Sequence, residues 1–165
     1  MRSELIIPRN LTKLLKRRLK TARRKEIGGI LLAEQLSPGL FQLVDCTFES
    51  RVGTRSQFRR SEAEHRDALR EFMKKNGNNY DRFNYLGEWH SHPSFTVHPS
   101  LQVQMTMQKM VMENASIPFA VLLIVKLSAW YRLNASATVF ERGKEPYSME
   151  ITFLKKIRNR GINYG

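Results

Sequence analysis

Leu11, Leu14, Leu15, Leu19 and Ala22 recur at three- and four-residue intervals, with lysines and arginines filling the positions between them. That period places the apolar residues on one face of a helix and the cations on the other. Ahead of it, Leu5-Ile6-Ile7 stopped by Pro8 predicts a short strand. Behind it, Ile27 to Ala33, with Gly28-Gly29 near its start, predicts a second strand. Ser37-Pro38-Gly39 then turns into a third, from Leu40 to about Glu49.

Arg51 to Arg60 reads as a loop. Ser61-Glu62-Ala63-Glu64 has the capping-box pattern, in which Ser61 and Glu64 satisfy each other's backbone amides. The helix behind it reaches about Lys75, with Ala68, Leu69, Phe72 and Met73 on its buried face, and Asn76-Gly77-Asn78-Asn79 ends it. Tyr85 to His90 predicts a strand and Pro93 stops it. Ser100 caps a helix to about Asn114. Its methionines, Met105, Met107, Met110 and Met112, have the spacing of core filling or of an adaptable binding surface. Phe119 to Val125 is apolar throughout, as a strand buried on both faces must be. Trp130 to Arg142 and Ser148 to Leu154 alternate as two more strands. The expected architecture is a single α/β (α+β) domain over residues 1–165, one mixed sheet with about three helices.

The 165 residues are 41 % apolar and 26 % charged, a balance that excludes a disordered chain and fits one core. No window approaches the ~18 apolar residues of a membrane span. Met1 to Pro8 has no apolar core of signal-peptide length, so the expected location is the cytoplasm, with no membrane partner. Cys46 is the single cysteine. It excludes an intrachain disulfide and a cysteine-based zinc site, and its place in the third strand predicts a small buried hydrophobe. The formal charge of +13 is concentrated in Lys13 to Lys25 and in Lys155, Lys156, Arg158 and Arg160. Such an excess favours acidic proteins, anionic membranes or nucleic acid without choosing between them. A solvated helix face explains the first run equally well.

Gly87-Glu88-Trp89-His90-Ser91-His92-Pro93 carries the chemistry. Residues two apart on a strand share a face, so both imidazoles reach one point, and imidazole nitrogen suits zinc (Zn2+). A His-x-His pair alone is a weak signal. Two more features accompany it: Lys25-Glu26-Ile27-Gly28-Gly29 upstream, and Ser100 at the start of a helix downstream. In that order the motifs resemble the JAMM/MPN+ metalloprotease signature, a distant Glu, then His-x-His-Pro, then a Ser and an Asp three residues apart. The likeness is greatest to short prokaryotic JAB domains encoded beside bacterial E1- and E2-like enzymes, some in cyclic-nucleotide (CBASS) anti-phage defence operons.

The resemblance implies an MPN/JAB-like (cytidine-deaminase-like) fold, a curved mixed sheet sandwiched by about three helices. It implies a hydrolase, an isopeptidase of deubiquitinase-like type that releases ubiquitin-like or other proteins from isopeptide or C-terminal amide bonds. E1- and E2-like operon partners are implied with it. His90 and His92 then hold zinc, Glu26 carries the proton from the attacking water to the leaving amine, and Ser100 donates to the oxyanion. One position departs from the signature: the aspartate's place is taken by Val103, and no Asp or Glu occurs from His90 to Met112. Glu88 reads as a strand-end carboxylate. His98 stands as a substitute ligand, against its plainer role as a loop histidine. Three states fit: a two-histidine zinc site completed by water, a site repaired by His98, or a metal-free relic. The rival function is a catalytically inactive binding module. The basic charge adds a third, a nucleic-acid-associated protein similar to RadC, though no helix-turn-helix, zinc-finger or RNP pattern is present.

Overall fold

The computed structural model describes residues 3–50 and 62–155. In chain order these form β1 (Glu4–Ile7), α1 (Arg9–Ala22), β2 (Ile27–Ser37), β3 (Leu40–Cys46), β4 (Glu49–Ser50) and α2 (Glu62–Lys75). There follow β5 (Phe83–Ser91), α3 (Leu101–Glu113), β6 (Phe119–Leu127), β7 (Leu133–Glu141) and β8 (Tyr147–Phe153). The loop from Arg51 to Arg60, the capping box at Ser61, and Lys156, Arg158 and Arg160 lie outside the described residues.

Helix and strand positions follow the hydrophobic pattern closely, with two differences. The third strand ends at Cys46 and resumes as the short β4. Trp130 and Tyr131 do not join β7, because both adopt left-handed backbone, with φ of 61° and 53°, which a strand cannot contain.

The architecture itself corrects the expectation of a curved sheet sandwiched by helices in the MPN/JAB manner. Seven strands run in the order β3-β1-β8-β7-β6-β5-β2, and β2 then pairs with β3, closing the sheet into a mixed barrel. β4 is a further short strand on the edge of β2. Closure depends on β3, which pairs antiparallel with β2 and parallel with β1. A closed sheet has no free edge along which chains can add.

Two apolar layers follow from the alternation of side chains. Leu31, Leu43, Trp89, Val121, Leu123 and Val139 belong to the inner core, and Leu11, Leu15 and Leu19 of α1 pack into the same cluster. The predicted leucine face of α1 is therefore the face that meets the barrel core. On the outside, α3 covers Ala120, Leu122, Ile124 and Phe140 with Met107 and Val111. Phe72 and Met73 of α2 cover Ile30 and Leu32. β6 is thus buried on both sides, which explains its unbroken apolar run. The methionine series divides: Met107 is buried, while Met105 and Met112 are exposed. Cys46 is buried as expected, and burial, reinforced by Asp45, pushes its thiol up to about 12. It is protonated and unreactive at neutral pH. Among the described residues no helix is long and apolar enough to cross a membrane.

Candidate metal centre

His90 stands near the end of β5, whose faces are set by a break in register. Leu31 of β2 pairs with Gly87 and Leu32 with Tyr85, so Leu86 is an extra residue on β5. Leu86 and Trp89 both enter the inner core, three positions apart rather than two. Strict alternation from Leu86 would turn Glu88 and His90 into the barrel. The bulge turns Trp89 inward and leaves Glu88 and His90 on the opposite, outer face. Gly87 makes this possible, with φ at 156° and its backbone against Val121: a Cβ there would lie 1.9 Å from the Val121 carbonyl oxygen. Trp89 is locked in place by its indole N–H, which donates to the Thr47 carbonyl at 2.9 Å.

His92 lies just beyond the strand. Its backbone N–H donates to the Val125 carbonyl at 2.9 Å, and its Nδ1 is 2.6 Å from the Thr96 carbonyl oxygen. A carbonyl only accepts, so Nδ1 carries a hydrogen, and Nε2 is the nitrogen left to face His90. That Nε2 is 3.0 Å from Nε2 of His90. Two nitrogens held at ~2.0–2.1 Å by one tetrahedral zinc stand about 3.3 Å apart, so a few tenths of an ångström separate the pair from a ligating geometry. His90 is buried, and burial, with His92 adding to it, lowers its pKa to about 4. It is neutral, as a ligand must be, at neutral pH. The donor set therefore suits zinc in type and aim.

The remaining residues are placed as follows. Gly28 pairs with His90 across β2 and β5. Glu26 immediately precedes β2, with an exposed side chain. Ile27 N–H donates to Ser91 Oγ at 3.0 Å, tying the two segments together. Ser100 is the N-cap of α3: its Oγ accepts from the Val103 N–H at 3.3 Å, which leaves its own hydrogen free to donate. His98 is an exposed loop residue. Among the described residues no group of three or more His, Cys, Asp or Glu is arranged to hold a metal, so neither Glu26 nor His98 completes the pair. Val103 packs against the apolar cluster beneath α3.

Three acidic or imidazole groups lie near this face, of which only Glu88 was named from the sequence. Glu88 is no strand-end carboxylate, since it is 4 % exposed and pairs with Ile30 in mid-strand. Glu49 pairs with Gly28 from the other side, so Glu49, Gly28 and His90 form one row across three strands. Nε2 of His65 in α2 lies against Oε1 of Glu49. A cavity of about 740 Å³ opens beside Glu88 and His65 but does not reach the His90–His92 pair. The row of Glu49, Gly28 and His90 needs the strand order to be read.

No protein-family model matches the chain, and no curated protein matches it. Solved structures do. A protein of Desulfitobacterium hafniense superposes with a TM-score of 0.67 at 15 % identity, covering 94 % of this chain and 97 % of that one. A protein of Salinibacter ruber superposes with a TM-score of 0.57 at 16 % identity, over 95 % and 94 % of the two chains. At such identities the likeness is one of fold. It accompanies the barrel closure and brings no metalloprotease assignment with it.

Proposed function

We propose that this chain is a zinc-dependent hydrolase of the isopeptidase class, a deconjugase acting on ubiquitin-like or other proteins joined through their C-terminus. Its metal site is weakened by Val103. The observation that carries this reading is the convergence of the His90 and His92 Nε2 atoms, with the His92 tautomer set by the Thr96 carbonyl. Metal-ligating histidines characteristically have the second nitrogen engaged in this way. The local resemblance of the Glu26, His90-Ser91-His92-Pro93 and Ser100 motifs to the JAMM signature supports the substrate class, the E1- and E2-like partners and a setting in anti-phage defence. It rests on those motifs, not on the architecture.

Zinc bound there supplies Lewis acidity at neutral pH. Glu26, which immediately precedes β2, takes a proton from the attacking water and returns it to the leaving amine. The Ser100 hydroxyl donates a hydrogen bond to the oxyanion. With two protein ligands the site binds more weakly than four-ligand structural sites.

Titration of metal-free protein with zinc against a chromophoric chelator is expected to show about one zinc per chain, bound at least ~10-fold more weakly after His90→Ala. Equal binding by the two proteins removes the site. Glu26→Ala is expected to lower release of a fluorophore amide-linked to the C-terminus of a ubiquitin-like protein by ~100-fold or more. Its zinc stoichiometry stays unchanged. Full turnover by that variant rules out the proton-transfer role.

The packing of the half-buried Val103 against the cluster that holds Met107 and Val111 favours a second reading, a binding module without turnover. At that position the chain has a packing residue where catalysis would need a ligand. Under this reading the same ubiquitin-like protein binds wild type and Glu26→Ala alike, and neither cleaves it.

A further inference from the structure

On the other side of β5 lies a feature the metal site does not use. Leu19 and Lys20 of α1, Arg23 and Lys25 of the following turn, and Lys126 of β6 surround a cavity of about 350 Å³. Ser91 and Pro93 bound it on the β5 side, and Tyr131 closes its rim. Among the described residues no acidic side chain lines it. Lys20 Nζ lies 4.8 Å from the centre of the Tyr131 ring, and Lys126 Nζ donates to the Phe95 carbonyl at 2.9 Å.

Beside the cavity the loop between β6 and β7 holds Trp130 out into solvent, 92 % exposed. The Ser128 N–H and Oγ both donate to the Arg132 carbonyl, at 2.9 and 3.2 Å, and close the loop. Within it Trp130 and Tyr131 take left-handed backbone, with φ of 61° and 53°, a conformation unfavourable for bulky side chains. The attraction of cations to a helix C-terminus accounts for Lys20 and Arg23. It accounts neither for Lys126, which comes from another element, nor for an indole displayed in water.

We infer that this surface binds single-stranded nucleic acid, with Lys20, Arg23, Lys25 and Lys126 on the phosphates and Trp130 and Tyr131 stacking bases. Cations beside an exposed indole match a polymer that alternates anionic phosphates with flat bases. An acidic protein would use the cations and leave the indole idle.

The chain has two tryptophans. Trp89 is fully buried, so quenching of tryptophan fluorescence by a bound base reports Trp130. Titration with a short oligothymidylate is expected to quench that emission. Affinity falls by roughly 50-fold between ~50 and ~200 mM salt, as four neutralised phosphates on a single strand require. Trp130→Ala should weaken binding by about tenfold and abolish the quench. Lys20→Glu with Arg23→Glu should weaken it further, while the same charge change at Lys74 and Lys75 of α2 leaves it within about twofold. Unaltered binding by Trp130→Ala overturns the inference. So does an equal loss from the α2 control, or equally tight binding of a polyglutamate of the same charge, which would make the surface a reader of acidic protein.

Discussion

Replacing Gly87 with alanine is expected to cost about 4 kcal/mol or more of folding stability. Built on this backbone, the new methyl would stand 1.9 Å from the Val121 carbonyl oxygen and 2.5 Å from the Val121 amide nitrogen. Both are main-chain atoms of β6, which is buried on its two faces and cannot withdraw without disturbing two apolar layers. The φ of 156° adds strain for any L side chain. Overpacking of a dense core and backbone strain each cost ~1–3 kcal/mol. Urea denaturation of wild type and Gly87→Ala measures the difference. A loss below ~1 kcal/mol would mean that the bulge slides along β5, and with it the outward placement of His90. Because His90 lies three residues beyond Gly87, any Gly87→Ala protein that still folds should also show weakened zinc binding.

The second large effect is a dependence of stability on pH between about 6.5 and 4. In the unfolded chain the His90 imidazole takes up its proton near 6.5, whereas in the fold burial, then the neighbouring His92, lower this to about 4. Within that window the unfolded state binds more protons, so stability is fully present above pH 6.5 and is lost as the pH falls towards 4. A difference of about 2.5 units corresponds to roughly 3 kcal/mol. Urea titrations of chelator-treated protein should show this loss, and His90→Asn should lack that share of it. Identical pH profiles for the two proteins would show that the His90 ring is not held in an apolar setting. Zinc at micromolar concentration should steepen the wild-type dependence, since the metal competes with the same proton.

Much of the site was readable from local rules. The sharing of one face by His90 and His92 follows from the two-residue period of a strand, and the cap at Ser100 from the chemistry of its hydroxyl. The clamp on His92 was not readable, because it is made by a backbone carbonyl, at Thr96, that any residue would present. Nor was the role of Val103. An apolar residue at a helix start can face a cleft or a core, and only the packing of α3 on β6 and β7 places it with Met107 and Phe140. The loop carrying Trp130 shows the same limit: its alternating pattern reads as strand, yet the closure by Ser128 and Arg132 lifts the indole out.

What the sequence determined by itself are the features whose causes lie within a few residues. These include the leucine face of α1, the strand ends at Pro8 and Pro93, the doubly buried run of β6 and the inert Cys46. Closure of the barrel, the outward turn of Glu88 and His90, and the row of Glu49, Gly28 and His90 were decided only by the tertiary structure. Each depends on pairings between strands far apart along the chain: β1 with β3, β2 with β5, and Gly87 with Val121. Hydrophobic alternation says which residues of a strand share a face. It does not say which strand lies alongside, or where one extra residue exchanges the two faces.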